Sequence, residues 1–179
     1  MRRHIAAAVM MMYVALTLTA QPQEDKSKRP SPPGTAVVTF DDGTKVTIDY
    51  SRPYAKGRQV MGGLVPYGEV WRTGANEATS LKTDTDLVIG GTTIPAGSYT
   101  LYSLASENSW KLIINKQTGQ WGTEYHPEQD LARVDMNETS LSQPVEQFTI
   151  SFDKKSGDAA QLNLQWAKTQ ASVEVRKKK

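Results

Sequence analysis

Residues 86–115 read DLVIGGTTIPAGSYTLYSLASENSWKLIIN. Two short β-branched runs, 86–89 and 92–94, flank Gly90-Gly91, a pair that tolerates the positive φ angles of a tight hairpin turn. Pro95-Ala96-Gly97 makes a second turn. Beyond it Tyr99, Leu101 and Ser103 alternate with Thr100, Tyr102 and Leu104, so both faces of that strand are partly apolar. Glu107-Asn108 reverses the chain into 110–115, where Trp110, Leu112 and Ile114 share one face. A period of two, cut by glycine and proline, is the signature of antiparallel strands.

The same period extends in both directions. Val38 and Phe40 lead into Asp41-Asp42-Gly43, after which Val46, Ile48 and Tyr50 alternate with Lys45, Thr47 and Asp49, as in a hairpin with one buried face. Downstream, 133–138, 146–152 and 160–166 each place apolar residues on one side, 154–158 is a turn, and 171–175 fits an edge or closing strand. Residues 115–130 form a long connection with a short helical turn near Pro127. No stretch longer than about six residues carries a clean helical period. About nine or ten strands with one apolar face each must cover that face with another sheet. The expected fold is all-β, an antiparallel sandwich of jelly-roll-like arrangement; a closed barrel shares the pattern.

The ends differ from this body. Arg2 and Arg3 precede an apolar run from Ile5 to Leu18, and small residues follow to Ala20, the order of a secretory signal with cleavage after Ala20. A retained signal anchor is the alternative. Residues 21–34 hold four prolines among polar side chains and read as a flexible lead-in. The domain is expected over 35–175, with a basic tail at 176–179. An exported chain, periplasmic or secreted, with no stable membrane span after cleavage is the implied class. The chain has no cysteine, which excludes disulfides, thiolate catalysis and thiolate metal ligands. Its formal charge of +2 resides in the ends, for residues 34–175 hold 12 Lys or Arg against 17 Asp or Glu. An acidic body offers no electrostatic reason to hold nucleic acid.

The segment 51–77, SRPYAKGRQVMGGLVPYGEVWRTGANE, concentrates the chemistry. Glycine and proline prevent a long strand or helix there. It places Arg58, Arg72, Asn76 and Glu77 beside Tyr54 and Trp71. A guanidinium fork suits a carboxylate or phosphate, so these residues with His126 form the expected ligand site for an anionic small molecule, a glycan or a peptide. The competing structural reading pairs Arg58 or Arg72 with Glu69 or Glu77 to pin the loop, and packs Trp71 in the core. His126 is the one histidine outside the signal segment, so no metal or cofactor site is expected. No serine elbow or phosphate loop is present, and no catalytic residue is assigned. The enzymatic alternative is a hydrolase or lyase using Glu69, Glu77 and His126 across a cleft.

The string of motifs in 51–104, with WKLIINK at 110–116, NKQTGQWG at 115–122 and LQWAKT at 164–169, resembles the bacterial family of domain of unknown function 2911 over residues 37–175. The resemblance implies an exported protein, usually from Bacteroidetes-like bacteria, with one β-rich domain. It brings no activity and no catalytic residues.

Overall fold

The structure, a computed structural model, describes residues 24–107, 109–155 and 157–179. The signal segment expected at 1–20 lies outside the described residues. Ten strands follow in order: β1 (Pro33–Thr39), β2 (Lys45–Ser51), β3 (Val70–Trp71), β4 (Thr79–Thr83), β5 (Leu87–Ile89), β6 (Thr92–Ile94), β7 (Gly97–Ala105), β8 (Trp110–Asn115), β9 (Asp130–Lys154) and β10 (Ala159–Lys177). The described helical structure is limited to two 3-10 turns, Lys26–Lys28 and Pro127–Gln129.

All strand pairs are antiparallel, and one sheet runs β1-β2-β4-β7-β8-β9-β10-β5-β6, with β3 added on β7. The all-β antiparallel expectation holds. The barrel alternative does not, because β1 and β6 remain as edges. Instead the sheet folds over on itself, so that the inward residues of both halves meet in one core. Val38, Ile48, Leu101 and Leu112 from one half are buried with Phe148, Leu164, Val173 and Ile89 from the other.

Two long strands make the fold-over. The sequence suggests four separate strands in 133–175, whereas β9 and β10 each run through. The first part of β9 pairs with β8, from Asp130 to Met136, while later residues pair with β10. The crossing point is marked by register shifts around Ala167, whose φ of 50° is unusual for a residue with a Cβ. Bulges bend a strand without ending it. The polar middle of β9 hides that continuity from a period-two reading.

The open side is tied by side chains and a short main-chain patch. Ala55 N donates to Glu146 O at 2.9 Å and Phe148 N to Pro53 O at 2.8 Å. The Tyr50 hydroxyl receives the Ile150 amide at 2.9 Å. At the other end, Lys177 pairs with Asp42 and Lys154 with Asp41. The basic tail is therefore partly strand: β10 continues through Lys177 against Leu87 of β5.

Candidate functional site

β7 explains why a site forms where it does. Its inward side chains, Tyr99 and Leu101, enter the core, yet Tyr102 on the opposite face is also buried. The outer face of β7 is covered by the connection after β8. The Tyr102 hydroxyl donates to Glu124 O at 2.7 Å and accepts from Gln120 Nε2 at 3.1 Å. The Tyr102 and Tyr125 rings meet edge to face at 4.8 Å. This cover and the loop preceding β3 leave a recess of about 280 Å³, bordered by Leu64, Val70, Trp71, Arg72, Tyr102, Gly122, Thr123 and Tyr125.

The pairing of β3 with β7 decides which side chains can serve the recess. Trp71 lies opposite Ser103, on the core side. Its indole stacks on Trp166 at 5.8 Å and meets Phe148 edge to face at 5.0 Å. Alternation then turns Arg72 to the outer face that carries Tyr102. Hydrogen bonds or ion pairs among the described residues engage the guanidiniums of Arg29, Arg52, Arg58, Arg133 and Arg176, but not that of Arg72. Arg72 is half-buried, and its stem lies against Gly122.

Tyr125 is fixed before any guest arrives. Its hydroxyl donates to Asp130 Oδ2 at 2.7 Å and accepts from Arg133 at 2.7 Å. Asn115 Nδ2 donates to the second Asp130 oxygen at 2.9 Å. Burial, and after it the bond to the Asp130 carboxylate, pushes the Tyr125 phenol up to about 12. A raised folded-state value means that the stabilisation is complete below the ordinary tyrosine value and declines as pH rises from about 10 towards 12. Burial also raises the Tyr99 and Tyr102 phenols, so spectrophotometric titration should show a group of late-ionising phenols, and Tyr125→Phe should remove the latest step. A latest step that survives the substitution would assign it to another tyrosine.

The other expected site residues lie elsewhere. Arg58 curls onto its own loop, donating to Ala55 O at 2.9 Å and Tyr54 O at 2.7 Å. Tyr54 bridges to Gln147 of β9. His126 is exposed, with Nδ1 3.1 Å from Glu128, and Glu69 is exposed in the loop before β3. Neither borders the recess at Arg72 or the one beside Glu77.

Asn76 and Glu77 hold the lead-in. Asn76 Nδ2 donates to Ser31 O at 3.1 Å. Glu77 receives both oxygens' worth of bonds from Arg29, at 2.9 and 2.8 Å, and one from Lys26 at 2.8 Å. The Lys26 ammonium, with Arg29 Nη1, holds the Glu77 carboxyl down to about 2. Residues 24–32 are thus a strap across the body, where composition alone suggests a flexible spacer. Among the described residues no three His, Asp or Glu side chains converge as metal ligands, and no helix is long and apolar enough to cross a membrane.

Leu64, Tyr102, Thr123 and Tyr125 were not singled out by the sequence pattern. The available signal was the second apolar face of 99–104, which required a cover.

These features define an all-β antiparallel protein with an arginine-bearing recess on the outer face of its folded sheet. The chain belongs to the family described as protein of unknown function DUF2911, whose model matches residues 31–175. No curated protein and no solved structure compared with it matches.

Proposed function

We propose that this is an exported binding module whose recess at Arg72 takes a small carboxylate-bearing ligand. The observation that carries the reading is a partly buried arginine, Arg72, whose guanidinium has no hydrogen-bond or ion-pair partner among the described residues, beside two aromatic side chains locked by their own hydrogen bonds. A guanidinium fork pairs bidentately with a carboxylate, and a half-enclosed position strengthens that pair relative to open water. The Tyr125 ring, backed by the buried Tyr102, and Leu64 supply apolar area for the remainder of the ligand, and Thr123 stands beside them. Locked walls lower the ordering cost of binding. Export is supported by the basic, apolar and small-residue order of residues 1–20.

Carboxylate-pair hydrolysis receives no comparable support. Glu77 is held ionised by two cations, and Glu69 and His126 stand outside both recesses.

The test is titration of the mature chain with benzoate, phenylacetate and citrate, followed by amide and side-chain NMR shifts. At least one carboxylate should shift the Arg72 and Tyr125 signals. Arg72→Gln keeps most of the stem against Gly122 and should weaken that binding about 10- to 100-fold, the range for a lost charge-assisted hydrogen bond, with the melting temperature unchanged. Absence of shifts with every carboxylate at millimolar concentration would sink the proposal. Envelope-fraction protein whose mass still includes residues 1–20 would sink the cleaved-export half of it.

A further inference from the structure

Residues 76–78 connect the strap at 24–32 to the segment 120–122 that reaches the recess. The side chains of Asn76 and Glu77 face the strap: Asn76 holds Ser31 O, and Glu77 holds Arg29 and Lys26. The main chain of the same segment faces the recess wall. Gly122 N donates to Asn76 O at 2.9 Å, Ala78 N donates to Gln120 O at 3.2 Å, and Glu77 forms an antiparallel bridge with Trp121. Gly122 in turn stands against the Arg72 stem and borders the recess with it.

Asn76 occupies a left-handed conformation, with φ of 58°. Asparagine tolerates that conformation better than most residues with a side chain, and its surroundings fix it. Here the holders are Ser31 O from the strap and Ser51 Oγ at 3.3 Å from β2. Arg52 N adds a main-chain bond to Pro32 O at 2.9 Å, so the strap joins the start of the β1–β2 ladder. Two cations of the strap converge on the Glu77 carboxylate: Arg29 Nη1 spans both of its oxygens while the Arg29 Nε and Nη2 fork holds Glu24, and the exposed Lys26 ammonium adds a third bond.

We infer that the strap is a clasp that sets the wall of the Arg72 recess: docking of Arg29 and Lys26 on Glu77 orders residues 76–78, and these order residues 120–122. The inference rests on the reading of that recess as the ligand site, and it adds how the site is regulated. With the clasp closed, Gly122 holds the Arg72 stem in place. With the clasp open, the wall segment loses its partner strand and the recess loses its shape. Because the clasp is ionic and partly exposed, its closure weakens as salt screens it. A cationic segment of another chain that competes for Glu77 would open it in the same way.

The experiment needs no ligand. Amide hydrogen exchange is measured on the full chain and on Lys26→Gln/Arg29→Gln, which removes both cations and no core contact. The Gly122 and Ala78 amides should exchange about tenfold faster in the variant, as for a local opening that leaves the body folded, while the β8 amides keep their protection. In the unaltered chain, 1 M sodium chloride should speed the same two amides and leave the variant unaffected. Unchanged protection at Gly122 and Ala78 in the variant overturns the inference, whatever the strap itself does. Acceleration of the β8 amides to the same degree also overturns it, since the effect would then be global. A benzoate titration of the unaltered chain, read separately, reports on the ligand reading alone.

Discussion

Replacing Trp71 with alanine should cost about 3–5 kcal/mol of folding stability, the range for truncating a buried aromatic, and lower the melting midpoint by roughly 10 °C. The reason is the position of the ring where the two halves of the folded sheet meet. Trp71 is 7% exposed and stacks on Trp166, which comes from β10, while its edge meets Phe148 from β9. Phe148 also packs edge to face on Tyr50, whose hydroxyl takes the Ile150 amide. One truncation therefore loosens β2, β3, β9 and β10 together. β3 has two residues, too few to pack the resulting void by moving as a unit without surrendering its pairing with Ser103 and Leu104. Urea unfolding of Trp71→Ala is the measurement. A loss below about 1 kcal/mol, combined with loss of carboxylate binding, would place the indole in the recess and not in the core. The neighbouring Arg72→Gln carries the opposite expectation, with affinity lost and stability kept. The contrast between adjacent residues is the direct consequence of strand alternation.

That alternation was also what could be read from the sequence. Strands with regular apolar residues stand out: β8 has the bounds suggested by Trp110, Leu112 and Ile114, and Gly90-Gly91 does join β5 to β6. β4 escaped because its buried positions are Thr79, Leu81 and Thr83, and a threonine reads as solvent-facing. Both hydroxyls are satisfied locally, Thr79 by Thr73 O and Thr83 by Thr85 O, which is how they tolerate burial. The strap was illegible for a different reason. Its order depends on Glu77, 48 residues from Arg29, and no local pattern encodes such a pairing. Of the arginine-rich segment, the region was recognisable but not the division of labour within it. Arg58 serves its own turn and Arg72 the recess, a difference made by backbone direction and not by composition.

Gly122→Ala should destabilise the fold by about 1–3 kcal/mol, the range for forcing atoms into a filled space, and should abolish carboxylate binding in the same stroke. A Cβ built on Gly122 would stand 2.8 Å from Asn76 O and 2.9 Å from Arg72 Cδ. The first contact is with main chain that already accepts the Gly122 amide, so it cannot turn aside without breaking that bond. The second can yield, but only by moving the guanidinium that the site depends on. Gly119 in the same connection is the internal control. Its φ is 82°, and a Cβ there meets nothing within 4 Å, so Gly119→Ala is penalised by backbone conformation alone, about 1 kcal/mol. It should leave binding intact. Two glycines three residues apart thus serve different needs, one for a turn and one for close approach of two chain segments. Equal stability losses in the two variants, with equal carboxylate affinity, would show that the contact between Gly122, Asn76 and Arg72 does not shape the recess. The expected divergence would tie the strap, the wall and the arginine into one mechanical unit.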